Sequence, residues 1–332
     1  MTTFKAIHLV KRPDPGPITS DIFAVVEKDV PTATDGEILI KQTQMSLDPA
    51  MFGWMNADKE SYIPPVELNT VMRSSGVGEV VASEHPDFAV GDRVMGMMGW
   101  QEYFLSNGQG INKVQADVPD EMVLSVFALP GLTATQGLFN VGKPQSGETL
   151  VVTGAAGSVG SIVGQLAKAD GLRVIGVVGS DEKASWIVNE LGFDGAINYK
   201  TDDLEKKLNE LAPEGIDLYF ENTGGPIQHH VMQHMNAHGR IVVCGMIADY
   251  DKAEPAPGPS WVPIIKKRLS IQGFTMPDHF DKVPALLQKL TPYVTSGKIK
   301  YRAHTLTGLE SAIEGLNLFL TGKNRGKLIV KL

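Results

Sequence analysis

The pattern of apolar and polar positions divides the chain in two. Over residues 1–125 the apolar runs are short and are separated by Gly and Pro. Glu37-Ile38-Leu39-Ile40-Lys41-Gln42 alternates with the two-residue period of a strand. Gly76-Val77-Gly78-Glu79-Val80-Val81-Ala82 is a β-branched run whose glycines mark a bend or a bulge. Asp87-Phe88-Ala89-Val90-Gly91-Asp92-Arg93-Val94 carries the turn residues of a tight connection into another strand. Short strands with this punctuation predict a small barrel-like domain.

From Leu129-Pro130-Gly131 onward, strand and helix patterns alternate. Thr149–Thr153 and Arg173–Val178 read as short apolar strands, as do Ile216–Phe220 and Arg240–Cys244, and Leu269–Phe274 is a further candidate. Ser158 to Asp170 has the helical period and stops at Gly171. Asp181 to Leu191 is a helix ended by Gly192, and Pro226 to Ala237 reads as a third. Repeated βα units predict a parallel sheet covered on both faces. From about Ile299 the tail returns to strand–helix–strand, the pattern of a segment rejoining the first domain.

Length and composition narrow the picture. A chain of 332 residues fits two domains, and 42% hydrophobic with 20% charged residues excludes wholesale disorder. The formal charge of −8 makes the chain a poor general binder of nucleic acid or anionic membrane. The single cysteine, Cys244, excludes an intramolecular disulfide and a thiolate cluster, and fits a reducing compartment. No run reads as the roughly 18 apolar residues of a membrane span. The start, Met1-Thr2-Thr3-Phe4-Lys5-Ala6, lacks a signal-peptide pattern, so the expected location is the cytoplasm.

The strongest chemical signal is Leu150-Val151-Val152-Thr153-Gly154-Ala155-Ala156-Gly157-Ser158-Val159-Gly160, which follows a strand and opens a helix. The dinucleotide fingerprint stands here as Ala155-x-Gly157-x-x-Gly160. Gly157 would admit the pyrophosphate to the backbone, Gly160 would let helix and strand pack closely, and the helix-start amides would hold the anion. The second strand ends Val177-Val178-Gly179-Ser180, without the acid that usually binds the ribose of NAD. That absence, with Lys183 a turn further on, points to NADP. Asp181 reads as a first-turn helix residue.

Several stretches resemble the zinc-independent medium-chain reductases that include leukotriene B4 12-hydroxydehydrogenase/prostaglandin reductase, plant alkenal double-bond reductases and bacterial curcumin reductase. They are Leu129-Pro130-Gly131-Leu132-Thr133-Ala134, Gly154 through Gly160, Glu221-Asn222-Thr223-Gly224-Gly225, Cys244-Gly245-Met246-Ile247-Ala248-Asp249-Tyr250 and Gly322-Lys323-Asn324-Arg325-Gly326-Lys327. The likeness spans essentially the whole chain. It implies an α/β fold: a GroES-like β-rich catalytic domain, residues 1–125 and 299–332, around a Rossmann NADP-binding domain, a doubly wound parallel sheet over residues 126–298.

The resemblance also implies cofactor positions. The phosphate loop matches Ser158, Val159, Gly160 and Ser161, the 2′-phosphate lysine matches Lys183, and the tyrosine of the family's Asn-Tyr-Lys matches Tyr199. Asn222 matches the amide of the Glu/Asp-Asn-x-Gly-Gly motif. Cys244, Gly245, Met246, Ile247, Ala248, Asp249 and Tyr250 match the loop after the fifth strand. Phe274, Thr275 and Met276 match the segment beside the nicotinamide, and Asn324 matches the C-terminal asparagine. In the curcumin reductase branch two tyrosines are assigned to catalysis, and they match Tyr62 and Tyr250. The family commonly reads Asp-Pro-Tyr-Met-Arg where this chain has Asp48-Pro49-Ala50-Met51-Phe52, so that ring and that cation are both absent here.

The activity implied is NADPH-dependent reduction of the C=C bond of an α,β-unsaturated carbonyl compound by an enzyme expected to be a homodimer. Tyr250 or Tyr62 would donate to the developing enolate oxygen or protonate the α-carbon. A quinone reductase on the same scaffold and a non-catalytic NADP-binding protein are the alternatives. His229, His230, His234 and His238 invite a metal reading. No cysteine or nearby carboxylate completes a site, however, and a solvated helix face explains the row. No metal is expected.

Overall fold

The structure is a computed structural model and describes residues 2–254 and 256–332. The chain forms two compact units, Met1–Leu124 with Ala303–Leu332, and Ser125–Arg302.

The first unit begins with strands β1 (Thr3–Leu9), β2 (Phe23–Asp29), β3 (Ile38–Leu47), β4 (Thr70–Val71), β5 (Ser75–Ser83), β6 (Arg93–Met97), β7 (Tyr103–Ser106) and β8 (Asn112–Lys113). Strand β2 pairs with β1 and β1 with β4; β3 pairs with both β5 and β7. The register of β3 against β5 shifts twice, at Leu39/Ile40 and Gln42/Gln44, which curves the sheet. Ile38, Ile40, Val80, Val94, Met98 and Ile111 pack inside the curve. A short helix, α1 (Ala50–Met55), follows β3, with Met51, Phe52, Trp54 and Met55 buried. Phe52, where the family carries an arginine, is therefore part of the core.

The second unit is built on six strands: β9 (Thr149–Thr153), β10 (Arg173–Val178), β11 (Gly195–Asn198), β12 (Ile216–Glu221), β13 (Met235–Val243) and β14 (Ser270–Gly273). All pairs are parallel, in the order β11-β10-β9-β12-β13-β14. Every residue of β9 is buried, as befits a central strand covered on both faces. Helices α2 (Ser158–Ala169) and α3 (Asp181–Asn189) follow β9 and β10.

Two readings are corrected here. The helix expected over Pro226–Ala237 is α4, Ile227–His234, and β13 already begins at Met235. Met235 pairs with Ile216 and Arg240 with Leu218, so the intervening residues bulge out, with His238 at φ 65°. His238 thereby leaves the helical row, while His234 approaches the His230 carbonyl at 2.8 Å and the Asn209 side chain at 3.1 Å. Second, the run Asp120–Gly142 is long and apolar enough to meet a membrane-span criterion, although the pattern suggested no such run. Most of it is buried within the fold, which is the behaviour of a core helix.

After α5 (Val262–Lys267) and β14, the chain returns to the first unit through β15 (Ala303–Thr307) and β16 (Lys327–Lys331). Strand β16 lies between β15, parallel, and β3, antiparallel. Its first residue, Lys327, is fully buried. It donates to the Leu47 carbonyl at 2.8 Å and forms an ion pair with Asp48, which also accepts from the Ser46 hydroxyl. Burial pushes the Lys327 ammonium pKa down, and Asp48 opposes that shift.

Candidate active site

In the sheet of the second unit, neighbouring strands β9 and β12 are followed by connections on opposite faces, which opens a crevice at their carboxyl ends. The loop after β9 turns at Gly154, whose φ of 60° suits a residue without Cβ. The Gly157 N–H donates to the Gly154 carbonyl at 2.9 Å and the Ala155 N–H to Val177 at 3.2 Å. A Cβ on Gly160 would sit 2.4 Å from the Gly154 oxygen and 3.0 Å from the Ala155 Cα, so only glycine lets α2 start this close to β9. Gly157 caps α2 with no side-chain bond, and the first intrahelical donor is Ser161, whose N–H reaches the Gly157 carbonyl at 3.1 Å. The opening amides, Ser158 to Gly160, therefore lack acceptors inside the helix, the arrangement that receives a phosphate. The residues present fit a dinucleotide pyrophosphate.

The end of β10 carries Gly179 and then Ser180, which caps α3 by accepting from the Lys183 N–H at 3.3 Å. Lys183 thus projects from the first turn of α3. Tyr199 follows β11, and its N–H donates to Val178 at 3.0 Å. Its ring lies over Gly179, where a Cβ would meet the hydroxyl at 3.2 Å. Burial pushes the Tyr199 hydroxyl pKa up, so it remains a donor at neutral pH. Asp181 accepts from the Asn198 side chain at 2.7 Å, and the carboxylate is held against β11. Lys200 lies over the Tyr199 ring at 5.9 Å, and the tip of β10, Val178-Gly179, carries no acid.

The loops after β12 and β13 are knitted together at the other half of the crevice. Asn222 donates through its side chain to the Thr153 carbonyl at 2.8 Å, and through its N–H to the Thr153 hydroxyl at 2.9 Å. Cys244 and Gly245 donate to the Glu221 carbonyl at 2.9 and 3.2 Å, and Ala248 to the Thr223 carbonyl at 2.8 Å. Met246, Ile247 and Asp249 lie on the same loop. Tyr250 is exposed, and its hydroxyl accepts from the Met246 N–H at 3.2 Å. That bond uses an oxygen lone pair and not the hydroxyl proton. Burial, then the Glu221 charge, pushes the Cys244 thiol up to about 12, which makes it a poor nucleophile. Phe274 and Met276 pack with Leu132 and Leu286, and Thr275 lies between them.

Tyr62 and Asn324 belong to the first unit. Tyr62 is exposed in the segment between α1 and β4. Asn324 donates to the Gly326 carbonyl at 3.2 Å, just before β16. Among the described residues no group of three or more His, Cys, Asp or Glu side chains is arranged to hold a metal ion.

Sequence reasoning gave no role to Thr153, Tyr219 or Glu221. Glu221 is fully buried and gathers hydrogen bonds from all sides of the crevice floor. The available signal was an acid closing the otherwise apolar run Leu218-Tyr219-Phe220.

The sheet order, the glycine turn and the crevice at the change of direction define the class: a doubly wound dinucleotide-binding fold in a chain that also carries a β-rich unit. Residues 5–114 match the family described as N-terminal domain of oxidoreductase, and residues 158–291 the family described as zinc-binding dehydrogenase. The NADPH-dependent curcumin reductase of Escherichia coli (strain K12) is 39% identical over 332 residues, covering 98% of this chain and 95% of that protein. The 2-alkenal reductase (NADP(+)-dependent) of Nicotiana tabacum is 37% identical over 297 residues, covering 89% and 87%. The crystal structure of CurA in complex with NADPH from Vibrio vulnificus superposes with a TM-score of 0.92 at 38% identity, covering 98% of each chain. The chain belongs to the medium-chain dehydrogenase/reductase family, in the group of curcumin and alkenal reductases.

Proposed function

We propose that the protein is an NADPH-dependent reductase of the C=C bond of α,β-unsaturated carbonyl compounds. The observation that carries this reading is the phosphate-ready start of α2 next to a β10 tip without an acid, within a fold shared with reductases of that class. Bound NADPH supplies the hydride that adds to the β-carbon of the enone.

The chain's own residues do the rest. The amides of Ser158, Val159 and Gly160, with Ser161 and Gly157, hold the pyrophosphate. Lys183 and Tyr199 hold the 2′-phosphate, while Asn222, the Cys244–Tyr250 loop, Phe274, Thr275, Met276 and Asn324 border the nicotinamide half. Tyr250 donates its hydroxyl proton toward the carbonyl oxygen, where negative charge builds, or to the α-carbon, and Tyr62 is the second candidate. Both have exposed rings on loops, as residues that meet a substrate must.

Tyr250→Phe removes the hydroxyl and keeps the ring. Turnover of an enone should fall about 10²–10³-fold, the usual effect of losing one oxyanion donor, with NADPH affinity little changed. If Tyr62 holds substrate, Tyr62→Phe should raise KM with kcat nearly unchanged. Wild-type turnover by both single variants and by the double variant would show that neither hydroxyl takes part.

We further propose a homodimer. Strand β14 ends the sheet, all four of its residues are exposed, and Ile271 stands on it. The segment leading into it exposes Trp261, Val262 and Ile265. An open apolar edge of this kind is covered most simply by the same edge of a second copy. A thiol in place of any disulfide suits action in the cytoplasm.

A further inference from the structure

Glu221 is the last residue of β12, at the centre of the crevice, and is fully buried. One carboxylate oxygen accepts from the Thr153 hydroxyl at 2.6 Å, the Thr223 N–H at 2.6 Å, the Thr223 hydroxyl at 3.1 Å and the Gly224 N–H at 3.1 Å. The other accepts from the Tyr219 hydroxyl. Every one of these donors is electrically neutral. A buried carboxylate ordinarily has a cationic partner, because removing a charge from water is costly. Here hydrogen bonds stabilise the charge without cancelling it.

Its surroundings give the charge a direction. Glu221 lies beneath Asn222 to Gly225 and, through its own carbonyl, beneath Cys244 and Gly245, which are the loops assigned to the nicotinamide half. The oxidised nicotinamide ring carries a positive charge that the reduced ring lacks. We propose that Glu221 is an electrostatic residue of the cofactor site, whose charge favours the oxidised ring and so favours release of hydride toward substrate. The same charge reaches neighbouring groups, helping to raise the pKa of the Cys244 thiol and of the Tyr219 hydroxyl. This inference rests on the cofactor reading above.

A purely structural Glu221 would tie the loops together and affect both redox forms of the cofactor alike. The ratio of their affinities separates the two roles. Glu221→Gln removes the charge and can keep the bonds: its carbonyl oxygen replaces the acceptor of the Thr153, Thr223 and Gly224 donors. Its amide faces the Tyr219 hydroxyl, which turns to accept.

The dissociation constants of NADP+ and NADPH would be measured by fluorescence or calorimetry on the full-length wild type, Glu221→Gln and Glu221→Asp. We expect Glu221→Gln to weaken NADP+ relative to NADPH by about 3- to 15-fold, the scale of an interaction between two separated unit charges inside a protein. Glu221→Asp keeps the charge and should leave the ratio within about twofold of wild type. A ratio in Glu221→Gln equal to wild type, whatever the change in either affinity alone, overturns the proposal. If Glu221→Gln does not fold, Glu221→Ser reads the same ratio with the same two outcomes. A wild type that binds neither form would instead contradict the cofactor reading, so the two failures are distinct.

Discussion

At the scale of single residues, nucleotide choice rests on charge. Lys183 stands in the first turn of α3, the Tyr199 ring lies over Gly179 with Lys200 at its face, and Asp181 accepts from Asn198. A 2′-phosphate held by Lys183 would gain a cation, and the tip of β10 carries no acid. Lys183→Ala should therefore weaken NADPH about 10- to 150-fold, the equivalent of roughly 1.5–3 kcal/mol for a charge-assisted contact, and leave NADH nearly unchanged. Titrating both cofactors into wild type and variant checks this; equal wild-type affinity for the two would contradict it. Lys183 was a candidate from sequence because the absent acid leaves a gap at a known spacing. The contribution of Glu221 was not, because a carboxylate's burial and the neutrality of its donors appear only once β9, β12 and their loops are assembled.

At the scale of elements, strands with dense β-branched runs were legible almost to the residue: Thr149–Thr153 and Arg173–Val178 stand as read. Strand β11 was missed, since four residues, Gly195-Ala196-Ile197-Asn198, carry too little pattern; its identity comes from pairing with β10. The run after Pro226 was read as one helix. Its last residues instead follow the sheet, where β12 offers hydrogen-bond partners from Ile216 onward. Edge strand β14 is open along one side. Ile271→Lys places a charge on the open edge, a device that blocks strand pairing. The wild type should sediment as a dimer and the variant should shift toward monomer, with little change in folding. A monomeric wild type would remove the basis for the homodimer.

At the scale of the whole molecule, the C-terminal segment completes the first unit. Strand β16 is internal to its sheet, and Lys327 meets Asp48 across 279 residues of sequence. Sequence pattern indicated strand–helix–strand there but gave no partner for the lysine, since long-range pairing leaves no local period. Lys327→Met would strip Asp48 of its cation and leave a buried charge, at a cost of about 3–5 kcal/mol; Lys327→Met with Asp48→Leu should recover most of that. Urea midpoints of wild type, single and double variants measure it, and an unchanged midpoint in the single variant would show that the pair contributes nothing.

The fate of the transferred hydride distinguishes C=C reduction from its alternatives. With NADPH deuterated at C4 on the transferred face, and a simple conjugated enone as substrate, mass spectrometry and NMR locate the label in the product. The expected product is a saturated ketone with deuterium on the β-carbon. Deuterium on the carbonyl carbon of an allylic alcohol, or NADPH consumption with a quinone and none with the enone, would contradict it.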